Sequence, residues 1–222
     1  MIKILGVPLS VHTRKAIVAA RYKGLAHKVE PVFPFDPPEN WRKLSPTGLI
    51  PAIEHDGFDL ADSTAICLYF DKISPDRPLV PEDARDAGVC HFINAYAGDA
   101  LFRNVVHTLF FERVLKPAVM QQPTDQALVD AILADKAPGV FDVLQAHVEQ
   151  GHLGGEATTL ADIAVISNLI NFSYLGYRLS SHPALEAYFR RMVDRPEFLG
   201  AIKDERPFVE QMSLDDGFLA TA

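Results

Sequence analysis

Residues 48–70 read GLIPAIEHDGFDLADSTAICLYF, and this stretch decides the fold. It predicts a short strand over residues 49–54, a turn at His55-Asp56-Gly57, a second strand over 58–61, and a helix opened by Asp62-Ser63. An Asp-Gly pair between two apolar runs is a strong hairpin signal. Pro51 stands inside the first strand, where a trans proline would break a central ladder. A cis Ile50-Pro51 bond at a sheet margin keeps both features, and for an X-Pro bond costs only about 1 kcal/mol. Such a turn leaves the main-chain N–H and C=O of Ile50 free to pair with a peptide-like ligand. Asp62-Ser63 adds helix amides, a hydroxyl and a carboxylate, which suit a group bearing both a carboxylate and an ammonium. The same residues also read as a plain helix cap, and the two uses are compatible.

Outward from this stretch, the chain before it reads as strand, helix, strand. Ile2 to Leu5 is an apolar run closed by Gly6-Val7-Pro8, residues 11–23 carry apolar positions at helical spacing, and residues 27–33 alternate. This βαβ order predicts two parallel strands. Four prolines between 34 and 46 mark an irregular connection with room for one short helix at 40–44. Beyond residue 73, Ser74-Pro75-Asp76-Arg77-Pro78 and Pro81 read as a linker, after which the pattern is wholly helical. A long stripe spans 83–115, with Pro117 ending or bending it. A second runs over 124–150, with a bend or break at Pro138-Gly139. Thr159-Leu-Ala-Asp162 is a capping box opening another helix, where Asp162→Ala would cost roughly 1 kcal/mol. Helices follow near 184–192 and 196–203, and 204–222 reads as a weakly patterned tail.

Composition narrows the function. The chain has 222 residues, 48% hydrophobic and 23% charged, with a formal charge of −8 and scattered basic residues. That is an ordinary soluble balance, and it argues against nucleic acid or an anionic membrane as a principal partner. No apolar run approaches a membrane span, and MIKILGVPLS turns polar too soon for a secretory signal. Cys67 and Cys90 lack CxxC spacing and read as buried thiols in a reducing cytosol. The histidines lack metal-ligand spacing, so no metal is expected. Ser10 stands in the turn before the first helix. Read alone, it is either that helix's N-cap or a donor to an anion at the positive end of the dipole.

Ile-Pro-Ala-Ile at 50–53 followed by Asp-Ser-Thr-Ala-Ile at 62–66 resembles the glutathione-binding half of the cytosolic glutathione S-transferases. Gly-x-Pro-x-Ser-x-x-Thr-Arg at 6–14 is similar to the active-site segment of the serine-type members, the phi-like class above all, and the Thr159 box resembles the one in their central helix. The resemblance implies an α/β plus all-α architecture: a thioredoxin-like glutathione-binding domain at 1–75 and a helical-bundle domain at 84–222. It implies a cytoplasmic homodimer in detoxification, activating the glutathione thiolate for attack on a small hydrophobic electrophile. Ser10 would be the catalytic hydroxyl, with Thr13 second. Ile50, beside Pro51, would pair with the cysteinyl unit, and Asp62 and Ser63 would hold the γ-glutamyl end. Leu9, His12, Tyr96, His107, Phe110 and Phe111 are candidate walls for the electrophile, although each aromatic also reads as helix core and the two histidines as bystanders.

Departures weaken the match. Where phi-like members carry a His-Lys pair for the glycine carboxylate, this chain has Asp36-Pro37, leaving Lys43 or Arg42 as substitutes. Leu49 replaces a polar residue, and Thr47 an aromatic that plugs the partner subunit in many members. Two rivals stay open: a transferase-shaped module that binds partners without turnover, and another glutathione-dependent reaction such as isomerisation or peroxide reduction. The Ser-Ser-Cys segment of zeta-type isomerases is absent.

Overall fold

The computed structural model describes residues 1–219. β1 (Ile2–Leu5), α1 (Val11–Tyr22), β2 (His27–Glu30), the short α2 (Trp41–Leu44), β3 (Ala52–His55), β4 (Phe58–Ala61) and α3 (Ser63–Ile73) come first. The sheet order is β2-β1-β3-β4, with β1 parallel to β2 and antiparallel to β3. Ile2, Ile4 and Ile53 point to the face covered by α1 and α3, while Leu5 and Ala52 point to Trp41 of α2. This is the strand period of two at work. The β3–β4 hairpin closes on Asp56-Gly57, whose φ angles of 51° and 82° are the pair that a type I′ turn requires.

Two strands are shorter than the sequence suggests. β2 stops at Glu30 before the prolines, and β3 begins only at Ala52 because Leu49-Ile50-Pro51 forms the approach to it. The Ile50-Pro51 bond is cis.

Five α-helical stretches and a short 3-10 turn (Gly217–Leu219) follow among the described residues: α4 (residues 84–120), α5 (residues 126–149), α6 (Leu160–Tyr174), α7 (Pro183–Val193) and α8 (Pro196–Gln211). Neither Pro117 nor Pro138 ends its helix. Each follows a wide π-type segment, Phe111–Leu115 or Ile132–Lys136. The carbonyl that a proline ring would strike, four residues back, lies within that widened turn. The expected tail is a correction of larger consequence. α8 runs on through Pro207 to Gln211, because Glu205 and Val209 are buried against the rest of the molecule. Positions 220–222 of the expected tail lie outside the described residues.

All fifteen residues of α6 are buried, and α1 is clamped between α3 on one side and α6 and α8 on the other. The clamp centres on an ion pair. Arg14 Nε and Nη2 donate to the two carboxylate oxygens of Glu205 at 2.5 and 2.7 Å, and both side chains are fully buried. The Arg14 Nη1 donates to the Ser167 carbonyl at 2.5 Å, and Tyr174 donates its hydroxyl to Glu205 at 3.1 Å. Removing one partner of such a pair strands a buried charge. Glu205→Ala is therefore expected to lower stability in urea by about 3–5 kcal/mol, and the double variant Arg14→Met/Glu205→Leu by markedly less.

Asp162 also exceeds its expected role. It completes the capping box with Thr159, and it further accepts from Gly154 N at 2.8 Å and the Tyr188 hydroxyl at 3.0 Å. With a buried carboxylate taking bonds from three residues, the cost of Asp162→Ala should rise from the roughly 1 kcal/mol of a cap to about 3 kcal/mol, read from the denaturation midpoint.

Candidate functional site

Ser10 is the N-cap of α1, its Oγ accepting from Thr13 N at 3.4 Å, and it is partly exposed. The residue before it is held from two sides: the Leu9 carbonyl accepts from Asn171 Nδ2 of α6 at 3.3 Å and from Arg14 Nη2 of α1 at 3.5 Å. Thr13, the second candidate, is fully buried with its hydroxyl unpartnered among the described residues. That hydroxyl lies against Gly6, where an added Cβ would stand 2.5 Å from it, so Gly6 is required by close approach. Thr13 is thereby turned away from the surface that Ser10 shares.

Ile50 offers what the hairpin predicts. Among the described residues its N–H and C=O make no hydrogen bond, while Leu49 beside it donates and accepts locally through Thr47 and Ser45. Lys43 is exposed on α2, its ammonium without a partner among the described residues. Arg42 instead folds its guanidinium over Gly48 and reaches the Pro46 carbonyl. Asp36, Pro37 and Leu49 are all exposed.

Asp62 caps α3 with a single oxygen, Oδ1, which accepts from Thr64 N and Ala65 N at 2.9 Å each. Its φ of 79° is a strained, left-handed value for a non-glycine residue. The cap therefore consumes two of the helix amides, but among the described residues it leaves Asp62 Oδ2 and the Ser63 N–H unused. The arrangement can receive an ammonium on the carboxylate and an anion on the amide beside it.

Behind this turn stands α1. The His12 Nδ1 lies 3.4 Å from Ser63 Oγ, and Lys15 Nζ lies 3.0 Å from both Thr64 Oγ1 and Asn94 Oδ1 of α4. Burial lowers the pKa of Lys15. Burial likewise holds His12 down to about 4, aided by the Lys15 charge and opposed by Asp62.

Of the expected electrophile walls, the structure joins His12, His107 and Phe111 through a residue not singled out in the sequence, Phe102. The His12 ring meets Phe102 edge-on at 4.5 Å, Phe102 meets His107 at 5.3 Å, and His107 stacks toward Phe111 at 6.4 Å. Phe102 and His107 are five apart, a spacing that an α-helix places on different faces. The π-type segment Ala97–Val106 brings them together. Leu9 is instead core, Phe110 packs on it, and Tyr96 pairs with Phe92 near His147. Arg14, Lys15, Thr64 and Asn94 were also missed, since no local pattern marks a polar residue whose partner lies on another element. A cleft of about 290 Å³ beside Cys90, His152 and Asp162 includes none of the expected site residues.

The His12 shift has a measurable sign. Its folded pKa of about 4 lies below the unfolded value of about 6.5, so between them the unfolded chain binds more protons. The contribution is complete above pH 6.5 and is lost as pH falls toward 4. Allowing for the partly exposed ring, it should amount to about 2 kcal/mol. The urea midpoint of His12→Gln should accordingly depend less steeply on pH in that window than the wild type.

Comparison with known proteins identifies the family. Residues 5–78 match the family model for the glutathione S-transferase N-terminal domain, and residues 106–196 that for the C-terminal domain. Glutathione S-transferase F7 of Arabidopsis thaliana is 31% identical over 181 residues, covering 74% of this chain and 80% of that protein. Elongation factor 1-gamma of Prunus avium is 27% identical over 198 residues, covering 86% of this chain but 45% of its own length. The chain thus spans less than half of that relative. A glutathione S-transferase structure from Rhodospirillum rubrum superposes with a TM-score of 0.81 at 23% identity, covering 89% of this chain and 90% of that one.

Proposed function

Since the chain belongs to the glutathione S-transferase family and resembles its phi-like members, we propose that it binds glutathione and activates the thiol for attack on small hydrophobic electrophiles. The observation that carries this reading is the partly exposed Ser10 hydroxyl at the N-terminus of α1, in a chain whose Ile50 main chain is free. Ile50, preceding Pro51, pairs with the cysteinyl backbone, Asp62 and Ser63 take the γ-glutamyl end, and Lys43 meets the glycine carboxylate. Residues 1–75 form the glutathione-binding domain and 84–222 the helical domain that completes the electrophile site. The assembly is a cytoplasmic homodimer acting in detoxification; no helix among the described residues is long and apolar enough to cross a membrane.

The chemistry asked of Ser10 is modest. A free thiol titrates near ~8.5, and lowering it by ~2 units needs ~2.7 kcal/mol of preference for the anion. One charge-assisted hydrogen bond plus the dipole of α1 supplies that. The serine donates to the thiolate; glutathione is the nucleophile.

The matches to elongation factor 1-gamma favour a second reading, a transferase-shaped module that binds other proteins without turnover. The exposed Asp36 and Pro37, neither able to bind a carboxylate, point the same way.

Calorimetry with glutathione, followed by the ultraviolet absorbance of the bound thiolate against pH, separates the two. The bound thiol is expected to titrate about two units below the free one, and Ser10→Ala to return it by 1–2 units with a ~10–100-fold loss of turnover. No binding would favour the interaction module, and binding with an unshifted thiol would overturn Ser10 as the activating group.

A further inference from the structure

A buried amide of α6 holds the main chain of α4. Asn168 is 1% exposed, and its Nδ2 donates to the Ala164 carbonyl of its own helix at 2.9 Å and to the Ala97 carbonyl of α4 at 3.2 Å. A main-chain carbonyl only accepts, so the atom between the two is fixed as the nitrogen. The Asn168 Oδ1 has no partner among the described residues. The side chain thus serves as a donor alone, and one of its two bonds leaves α6 for another helix.

Ala97 is where α4 changes register. It is the first residue of the π-type segment Ala97–Val106. Its N–H still reaches back to the Ile93 and Asn94 carbonyls, whereas the His107 N–H donates to the Phe102 carbonyl, five residues back. Widened turns of this kind are rare and local, and a side chain inserted into the ladder is one physical cause of a break in helical register. Asn168 stands where such a side chain would act. The inner residues Ala97, Leu101, Val105 and Val106 are buried, while Phe102 is partly exposed and His107 exposed. An α-helix turns about 100° per residue, which would set Phe102 and His107 roughly 140° apart. In the widened register their ring centroids lie 5.3 Å apart, and Phe102 also meets the His12 ring at 4.5 Å.

We infer that Asn168 is a positioning residue for the electrophile wall: by holding the Ala97 carbonyl it keeps the widened register, and with it Phe102 against both His12 and His107. Phe102 in that place sets a preference for flat aromatic electrophiles over saturated ones. The placement of the rings stands on geometry alone; the preference rests on the glutathione reading and deepens it.

One readout needs no ligand. Burial is the main cause that holds His12 down to about 4, so NMR titration of the full chain reports whether Phe102 still covers the ring. Asn168→Leu should raise that value by about one unit or more toward the ordinary 6.5, and Phe102→Leu should do the same. Asn168→Ala repeats the removal without adding volume. The second readout is the ratio of kcat/KM for chlorodinitrobenzene to that for iodoethane, with glutathione as co-substrate. Each variant should lower the ratio about tenfold, the worth of one aromatic contact. The double variant Asn168→Leu/Phe102→Leu should lower it no further, because both changes act through the same ring. A purely structural Asn168 would alter stability and leave both the His12 titration and the ratio as in the wild type, and that result overturns the inference. An additive loss in the double variant overturns it too. A wild type that conjugates neither electrophile overturns the glutathione reading and the preference drawn from it, while the titration still decides whether Asn168 positions Phe102.

Discussion

Arg14 and Glu205 stand 191 positions apart and meet where neither is exposed to water. Two opposite charges in that setting are tolerated only while their geometry is kept, because separating them strands each in a medium that solvates neither. Burial pushes the Glu205 carboxyl upward in pKa, and the arginine beside it opposes the shift. The contribution of the pair is therefore best understood as position. It ties α1 to α8, and through the Ser167 carbonyl and the Tyr174 hydroxyl it ties both to the wholly buried α6.

That position is passed on to the candidate site by a short route. Arg14 and Asn171 both donate to the Leu9 carbonyl, one residue ahead of Ser10. The serine at the sheet end of the molecule is thus placed jointly by Arg14 of its own helix and by Asn171 of the helical half. Lys15, the next residue along α1, reaches in another direction to Thr64 and Asn94. α1 carries three successive buried polar residues, Thr13, Arg14 and Lys15, because it is packed on several sides and each faces a different neighbour. An amphipathic surface helix could not accommodate them.

Much of the fold was legible because it depends on local chemistry. Asp56-Gly57 marks a tight hairpin since both residues tolerate positive φ, and β4 and the start of α3 fall where the turn and cap residues put them. The capping box of α6 reads directly from Thr159 and Asp162. What misled was equally physical. Pro117 and Pro138 read as ends or bends, but widened turns carry both helices past them, and the same kind of widening at Ala97–Val106 set Phe102 beside His107 against the ordinary helical register. The stretch from Asp204 looked like a tail because its most deeply buried anchor, Glu205, is charged, and a charged residue in a sequence reads as solvated.

From the sequence alone one can determine which segments are strands and which are helices, and that Ser10, Ile50, Asp62 and Ser63 fall at or beside element ends where backbone groups are unpaired. These follow from steric and hydrogen-bonding preferences that act within a few residues. Only the tertiary structure decided which polar side chains are buried and what they face: the partnership of Arg14 with Glu205, and the burial of Lys15 against Thr64 and Asn94. Such facts depend on long-range packing, which local propensity does not encode.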